Sequence, residues 1–113
     1  MSEPVKVVED CHKLLVWLIP LLDQFPRNRR FTLGAHIETN LILVLESLVE
    51  ASYTPAKSRA KKTSLSFASN KLNSIRHLWR ASYELKVISV KRYEFGAKQL
   101  TEIGSQIGGW LQK

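Results

Sequence analysis

Few residues in this sequence have the types and spacing that catalysis or metal binding requires. The three histidines, His12, His36 and His77, lie far apart and form no cluster at metal-ligand spacing. The single cysteine, Cys11, lies within an apolar stripe, where a thiol is usually inert. No glycine-rich phosphate loop and no dinucleotide-binding fingerprint occurs. The sequence therefore predicts a protein that is not an enzyme and that binds no metal and no cofactor.

Basic side chains give a clearer chemical signal. Arg76 and Arg80 are spaced so that they share one helix face with Asn73, and Lys91 and Arg92 follow on the next predicted helix. Cationic groups held on helices bind phosphates without reading base sequence, and such binding weakens steeply with salt. This constellation predicts a nucleic-acid interface.

The net charge of +7 is unevenly distributed along the chain. Residues 1–56 hold five Lys or Arg and seven Asp or Glu. Residues 57–113 hold twelve Lys or Arg and three Asp or Glu. This asymmetry indicates a polyanionic partner, nucleic acid before membrane. Two alternatives stay open: a solubilising surface, and ion pairs between subunits in which Arg76 or Arg80 meets Glu46 or Glu50.

Length and composition predict a single domain that spans residues 1–113. One cysteine cannot form an internal disulfide, which fits a reducing cytosol. The longest apolar run, residues 14–22, is broken by Pro20 and is too short to span a membrane. The first residues lack the basic start of a signal peptide. We therefore expect a cytoplasmic protein.

Apolar residues recur every three or four positions along four stretches, which is the pattern of amphipathic helices. The predicted helices cover residues 4–25, 32–53, 60–86 and 90–111. Thr32 and Ser89 are the predicted N-caps of the second and fourth helices. Short connections and the absence of a strand pattern predict an all-α fold, an up-down antiparallel four-helix bundle.

The joint between the first two helices carries both apolar and basic residues. Pro26 disfavours helical backbone at Phe25, so the first helix should stop there. Phe25 and Phe31 are predicted to clamp this corner from inside. Three arginines are predicted to face water: Arg27, Arg29 and Arg30.

Both of the first two helices are apolar over more than one face, which exceeds what one bundle core requires. The surplus predicts a homo-oligomer that forms a closed ring. The predicted interface residues are Leu14, Trp17, Leu21 and Leu43. Small residues on the fourth helix, including Gly104 and Gly108, predict a groove against which another backbone passes.

Five segments together resemble a known family, the accessory variability determinant (Avd) proteins of diversity-generating retroelements. The segments are residues 14–20, 25–34, 50–53, 75–80 and 102–111. The most specific are the joint Phe-Pro-Arg-Asn-Arg-Arg-Phe-Thr-Leu-Gly and the final Gly-Gly-Trp. A related group, proteins encoded by intervening sequences in large-subunit ribosomal RNA genes, shares the four-helix plan.

The resemblance implies a four-helix protomer in a barrel-like homopentamer that is a non-enzymatic partner of an error-prone reverse transcriptase. It implies binding to that enzyme and to template RNA, in support of mutagenic cDNA synthesis. The positions to which it would assign contacts are Arg27, Arg29, Arg30, Arg76, Arg80, Lys91 and Arg92. Two alternatives are an RNA-binding protein tied to ribosomal RNA and a purely structural oligomeric module.

Overall fold

Four long helices make up the part of the chain that the computed structural model describes, which is residues 3–113, with side chains from Lys6 onward. The helices are α1 (Glu3–Leu22), α2 (Arg27–Ser52), α3 (Arg59–Glu84) and α4 (Val90–Leu111). None of the described residues is in a β-strand. The predicted all-α fold is confirmed.

Each helix packs against two neighbours, so the four helices close into a bundle. Successive helices lie side by side, and α1 also packs on α4. Contacts along the α1–α4 seam run in opposite chain directions, because Trp17 meets Phe95 while Asp10 meets Gln106. The short connections at residues 53–58 and 85–89 likewise turn the chain back on itself. The two helix pairs α1–α2 and α3–α4 therefore lie on opposite sides of the bundle.

The start of α2 differs from the prediction. The helix begins at Arg27, because the backbone N–H groups of Arg29 and Arg30 both donate to the Pro26 carbonyl at 2.8 Å. Thr32 lies inside a π-helical segment, Arg30–Gly34, and its hydroxyl donates to the Asn28 carbonyl at 3.1 Å. The prediction that Thr32 is the N-cap is wrong. Proline already has a φ suited to a helix start and lacks an N–H that would need a partner there.

The other two internal helix starts follow the capping rule. The Ser58 hydroxyl accepts from the backbone N–H of Lys61, and that of Ser89 accepts from Arg92. Each contact satisfies one backbone donor that would otherwise be free at the first turn. The prediction that Ser89 caps the last helix is confirmed.

Every helix contributes a stripe of buried apolar residues to one core, and α1 contributes two. Leu14 and Leu21, predicted at an interface between subunits, are buried inside the protomer. Trp17 packs its ring against Trp79 and Phe95. Leu14 and Leu21 belong to the core and Trp17 packs against it, so these three residues stabilise the fold. Leu43 is partly exposed.

A hydrogen-bonded carboxylate ties α1 to α4. Asp10 accepts from the Lys6 ammonium at 2.7 Å and from the Gln106 amide at 2.8 Å. These two bonds lower the pKa of the Asp10 carboxyl below its usual value of 3.8. The folded protein therefore binds a proton at the Asp10 carboxyl more weakly than the unfolded chain does.

Asp10 should make stability depend on pH in the acid range. Its contribution is fully present above the unfolded pKa and is lost as the pH falls through the lower folded pKa. We expect wild type to lose more stability than Asp10→Asn when the pH is lowered from about 5 to about 2. The reason is that the Asp10 carboxylate gains a proton in this range, whereas an asparagine amide at position 10 does not. Thermal unfolding followed by circular dichroism measures both curves. Parallel curves for the two proteins would contradict this assignment.

Candidate nucleic-acid interface

The excess positive charge of the second half of the sequence lies on one side of the folded bundle. The nearly balanced residues 1–56 include α1 and α2, whereas the basic residues 57–113 include α3 and α4. Because these two helix pairs lie on opposite sides, the excess positive charge is concentrated on the α3–α4 side. Such a one-sided distribution is the electrostatic footprint of a surface that binds a polyanion.

A cleft of about 580 Å³ runs between α3 and α4 on this basic side. Two arginines and a histidine contribute to its walls, and no carboxylate does. The lining residues are Asn73, Arg76, His77, Trp79, Arg80, Tyr93, Ala97, Leu100 and Thr101. The structure thus brings together the three residues that share the predicted polar face of α3.

Arg76 is the cleft arginine whose charge is not balanced by a neighbour. It forms no ion pair with any described residue, and one of its terminal nitrogens lies over Gly104. A Cβ built on Gly104 would be 3.8 Å from this nitrogen and 3.4 Å from a methyl group of Leu72. The predicted groove of small residues on α4 therefore receives side chains of α3.

The passing backbone that the glycines of α4 predict is absent within the described chain. A Cβ added at Gly108 or Gly109 would meet nothing within 4 Å. Gly96 is the position on α4 where a side chain would not fit. A Cβ added there would lie 2.6 Å from the indole nitrogen of Trp79. Sequence reasoning missed Gly96, although its position one turn after Tyr93 on the buried side of α4 was a usable signal.

Arg80 is paired within its own helix. Its Nε lies 3.3 Å from a carboxylate oxygen of Glu84, and both side chains are largely exposed. Exposed ion pairs of this kind contribute little to stability, so another anion can readily replace the Glu84 carboxylate at Arg80. Glu50, a predicted partner across subunits, accepts a hydrogen bond from the Ser64 hydroxyl at 3.2 Å.

Two aromatic residues line the cleft, Trp79 and Tyr93. Trp79 is 1% exposed and donates its indole N–H to the Tyr93 carbonyl at 3.0 Å. Tyr93 lines the cleft, and its ring stacks on that of Tyr83, with centroids 4.7 Å apart and planes inclined by 21°. The tryptophan is therefore a core anchor, and Tyr93 is the tyrosine that lines the cleft together with the arginines. Sequence reasoning did not identify the stacked tyrosine pair.

The remaining predicted basic residues lie outside the cleft. Lys91 and Arg92 are exposed in the first turn of α4. Arg27 and Arg29 lie in the first turn of α2, and neither forms an ion pair with a described residue. The antiparallel arrangement places both of these helix starts at the same end of the bundle. That end therefore carries a second group of cations.

Arg30 differs from its two neighbours because it is 27% exposed and paired twice. Its guanidinium lies 3.3 Å from Asp23 and 3.0 Å from Glu38, so it ties the end of α1 to α2. Phe25 is buried as predicted. Phe31 is 70% exposed, so the prediction that it clamps the corner from inside is wrong. The π-helical segment that carries Phe31 accounts for this, because it shifts the register of the side chains around the helix.

Reactive groups elsewhere in the described chain are isolated. Cys11 is fully buried, and burial raises the pKa of its thiol to about 12. Its thiolate is therefore scarcely populated near neutral pH. Within residues 6–113, no three His, Cys, Asp or Glu side chains are grouped closely enough to hold a metal ion.

The side opposite the cleft is apolar and partly uncovered. We define the α1–α2 face by its exposed or partly exposed apolar residues: Val16, Ile19, Ile42, Leu43 and Val49. Among the described helices, α2 alone is long and apolar enough to cross a membrane by length and composition, and 33% of its most apolar window is buried. On α2, Val49 is 38% exposed and Ile42 and Leu43 are partly exposed, so part of its apolar surface lacks a cover within the protomer.

Comparison with known proteins gives one family and one fold. A bAvd-like family model matches residues 6–113. A crystal structure of a protein of unknown function from the S23 ribosomal protein family of Bacteroides thetaiotaomicron superposes with a TM-score of 0.88. It is 16% identical in sequence, and the match covers 99% of this chain and 100% of that one, so the likeness concerns the fold alone. No curated protein matches the sequence.

Proposed function

The chain belongs to the bAvd-like family, and from this premise we propose that it is an Avd-type accessory protein of a diversity-generating retroelement. In this role it binds the error-prone reverse transcriptase and the template RNA, and it supports mutagenic cDNA synthesis without catalysing a step itself. The observation that carries the proposal is the family match over residues 6–113. The expected setting is the cytoplasm, where transcriptase and RNA meet.

The chemistry of the surface supports binding in preference to catalysis. The side formed by α3 and α4 carries the excess of cations, and its cleft has arginines and a histidine but no carboxylate. The one thiol is buried with a raised pKa. Such a surface can hold phosphates, and binding of this kind decreases with salt. The cations at the bundle end, which are the exposed Arg27, Lys91 and Arg92 and the partly exposed Arg29, extend the surface available to RNA or to the transcriptase.

Self-association through the α1–α2 face is part of the proposal. Exposed apolar surface on two adjacent helices is better covered by further copies of the chain than by water. A ring built on this face would direct each α3–α4 side outward, toward RNA and the transcriptase. The count of five subunits rests on the family resemblance.

Co-purification tests the proposed function directly. The protein is produced together with the reverse transcriptase of its own retroelement and the template-repeat RNA, and the tagged protein is recovered. We expect it to retain the transcriptase and to shift the RNA in a gel at low salt, with the shift decreasing as salt rises. Recovery of the protein with neither partner would refute the proposal.

Binding to ribosomal RNA without a transcriptase is the second candidate function. The observation that favours it is the fold shared with a member of the S23 ribosomal protein family. The two candidates differ in their gene neighbourhood, because the first requires a reverse-transcriptase gene and paired repeats nearby. They also differ in co-purification, because the transcriptase should be retained only in the first case.

A further inference from the structure

We propose that the cleft between α3 and α4 holds one unpaired nucleotide of a single-stranded RNA, with its phosphate at Arg76 and its base against Tyr93. This inference rests on the proposed function and deepens it, because it assigns the RNA contact to one site and one form of RNA. It also explains why two arginines and a tyrosine line one small cleft.

The phosphate position follows from the charges around Arg76. This guanidinium has no carboxylate partner among the described residues, and one of its terminal nitrogens lies near Gly104 of α4. Arg80, one helical turn away, is 60% exposed and is paired with Glu84 through its Nε. Asn73 and His77 add donors on the same wall. Planar guanidinium groups bind phosphate oxygens with paired hydrogen bonds, so a single phosphate fits this wall.

The base position follows from the aromatic wall. Tyr93 lines the cleft, and its ring is stacked on that of Tyr83 at a centroid distance of 4.7 Å. The Trp79 indole holds the Tyr93 backbone through the 3.0 Å hydrogen bond. A base stacked on Tyr93 would extend an existing aromatic pair, and such stacking accepts any base.

The dimensions of the cleft select an unpaired nucleotide. Its volume of about 580 Å³ is that of a pocket for one small ligand. A base inside a duplex has both faces covered by its neighbours, so it cannot enter the cleft and stack on a protein ring. A single strand or a splayed loop offers such a base, and we therefore infer that single-stranded RNA is preferred to duplex.

Binding of short RNAs to the full-length protein tests the inference. The probes are a labelled single strand, its duplex, and the same strand with abasic sites, all followed by fluorescence anisotropy at one salt concentration. We expect the intact single strand to bind about tenfold more tightly than either the duplex or the abasic strand, because both lack a base that can stack. An acidic peptide serves as a competitor, since an acidic protein segment is the other occupant that the arginines could attract.

Matched variants locate the site. Arg76→Gln should weaken binding of the single strand about tenfold, whereas Arg59→Gln should weaken it less than about threefold. Arg59 is an exposed arginine at the opposite end of the same helix, so the two variants change the charge equally. Tyr93→Leu should abolish the advantage of the intact strand over the abasic strand, and Tyr93→Phe should preserve it. Circular dichroism verifies that each variant is folded.

Each alternative outcome has a distinct meaning. Equal weakening by the two arginine variants, or equal binding of duplex and single strand, overturns the inference and leaves the proposed function intact. Binding of the acidic peptide that depends on Arg76, with no binding of RNA, assigns the cleft to a protein partner. Absence of RNA binding by a protein that retains the transcriptase overturns both the inference and the RNA part of the proposed function.

Discussion

Replacing Gly96 by alanine should destabilise the protein by about 1–3 kcal/mol, the usual range for forcing atoms into a packed core. The sign is opposite to that expected from helix propensity alone, because alanine is favoured over glycine inside a helix by about 1 kcal/mol. The reason is the indole ring of Trp79. An added Cβ would lie 2.6 to 2.8 Å from three of its atoms, and a fully buried tryptophan has little room to move.

Gly109 provides the matched control for Gly96. Both are in α4, but an added Cβ at Gly109 meets nothing within 4 Å. Gly109→Ala should therefore raise stability by up to about 1 kcal/mol, the full difference in helix propensity. Urea unfolding followed by circular dichroism measures both changes. If Gly96→Ala proved as stabilising as Gly109→Ala, the close approach of Trp79 to α4 would be refuted.

A second substitution shows whether the clash with Trp79 is the cause. Trp79→Leu should destabilise the protein by itself, because it removes a large buried ring and the hydrogen bond to Tyr93. In that background Gly96→Ala should cost much less than in wild type, because the atoms it would strike are gone. Independent effects of the two substitutions would instead indicate that Gly96 is required for some other reason.

Periodicity was sufficient to predict the helices and the core. Apolar residues at three- and four-residue spacing reflect burial, which is the largest energetic term in the fold, so they identify all four helices. The start of α2 was mispredicted because two local signals compete there, Pro26 and Thr32. Pro26 determines the start, and the threonine hydroxyl is used inside the helix.

Side-chain partners were less predictable than helices. Arg27, Arg29 and Arg30 look equivalent in sequence, yet only Arg30 meets carboxylates, Asp23 and Glu38, among the described residues. Whether an arginine is paired depends on the rotation of each helix about its axis, which periodicity defines only coarsely. The stacking of Tyr83 on Tyr93 depends in the same way on the register between α3 and α4.

The α1–α2 face leads to the second large expected effect, loss of assembly in Val49→Glu. Val49 is 38% exposed in the protomer and lies on the same helix as Glu46 and Glu50. If copies of the chain cover this face, a carboxylate at residue 49 would be desolvated there and would be repelled by its neighbours. We expect the wild type to be a ring of several subunits and Val49→Glu to be a folded monomer of about 12.9 kDa. Light scattering measures the mass, and circular dichroism verifies the helix content.

Phe67→Glu is the control for Val49→Glu, because Phe67 is 41% exposed, apolar and located on α3, away from the α1–α2 face. The control should retain the mass of the wild type. A monomeric wild type would refute the ring, and loss of assembly in both variants would show that α3 also contributes to the interface.

The monomeric variant also separates assembly from RNA binding. The cleft lies on the opposite side of the bundle, so each Val49→Glu protomer should keep its own nucleotide site. A ring, however, offers several such sites to one RNA, and linked sites bind far more tightly than single ones. We therefore expect a short single strand that occupies one cleft to bind the monomer and the ring equally, and a long RNA to bind the monomer much more weakly. If Val49→Glu weakened the binding of the short strand and of the long RNA equally, the cleft would have to be completed by a neighbouring subunit.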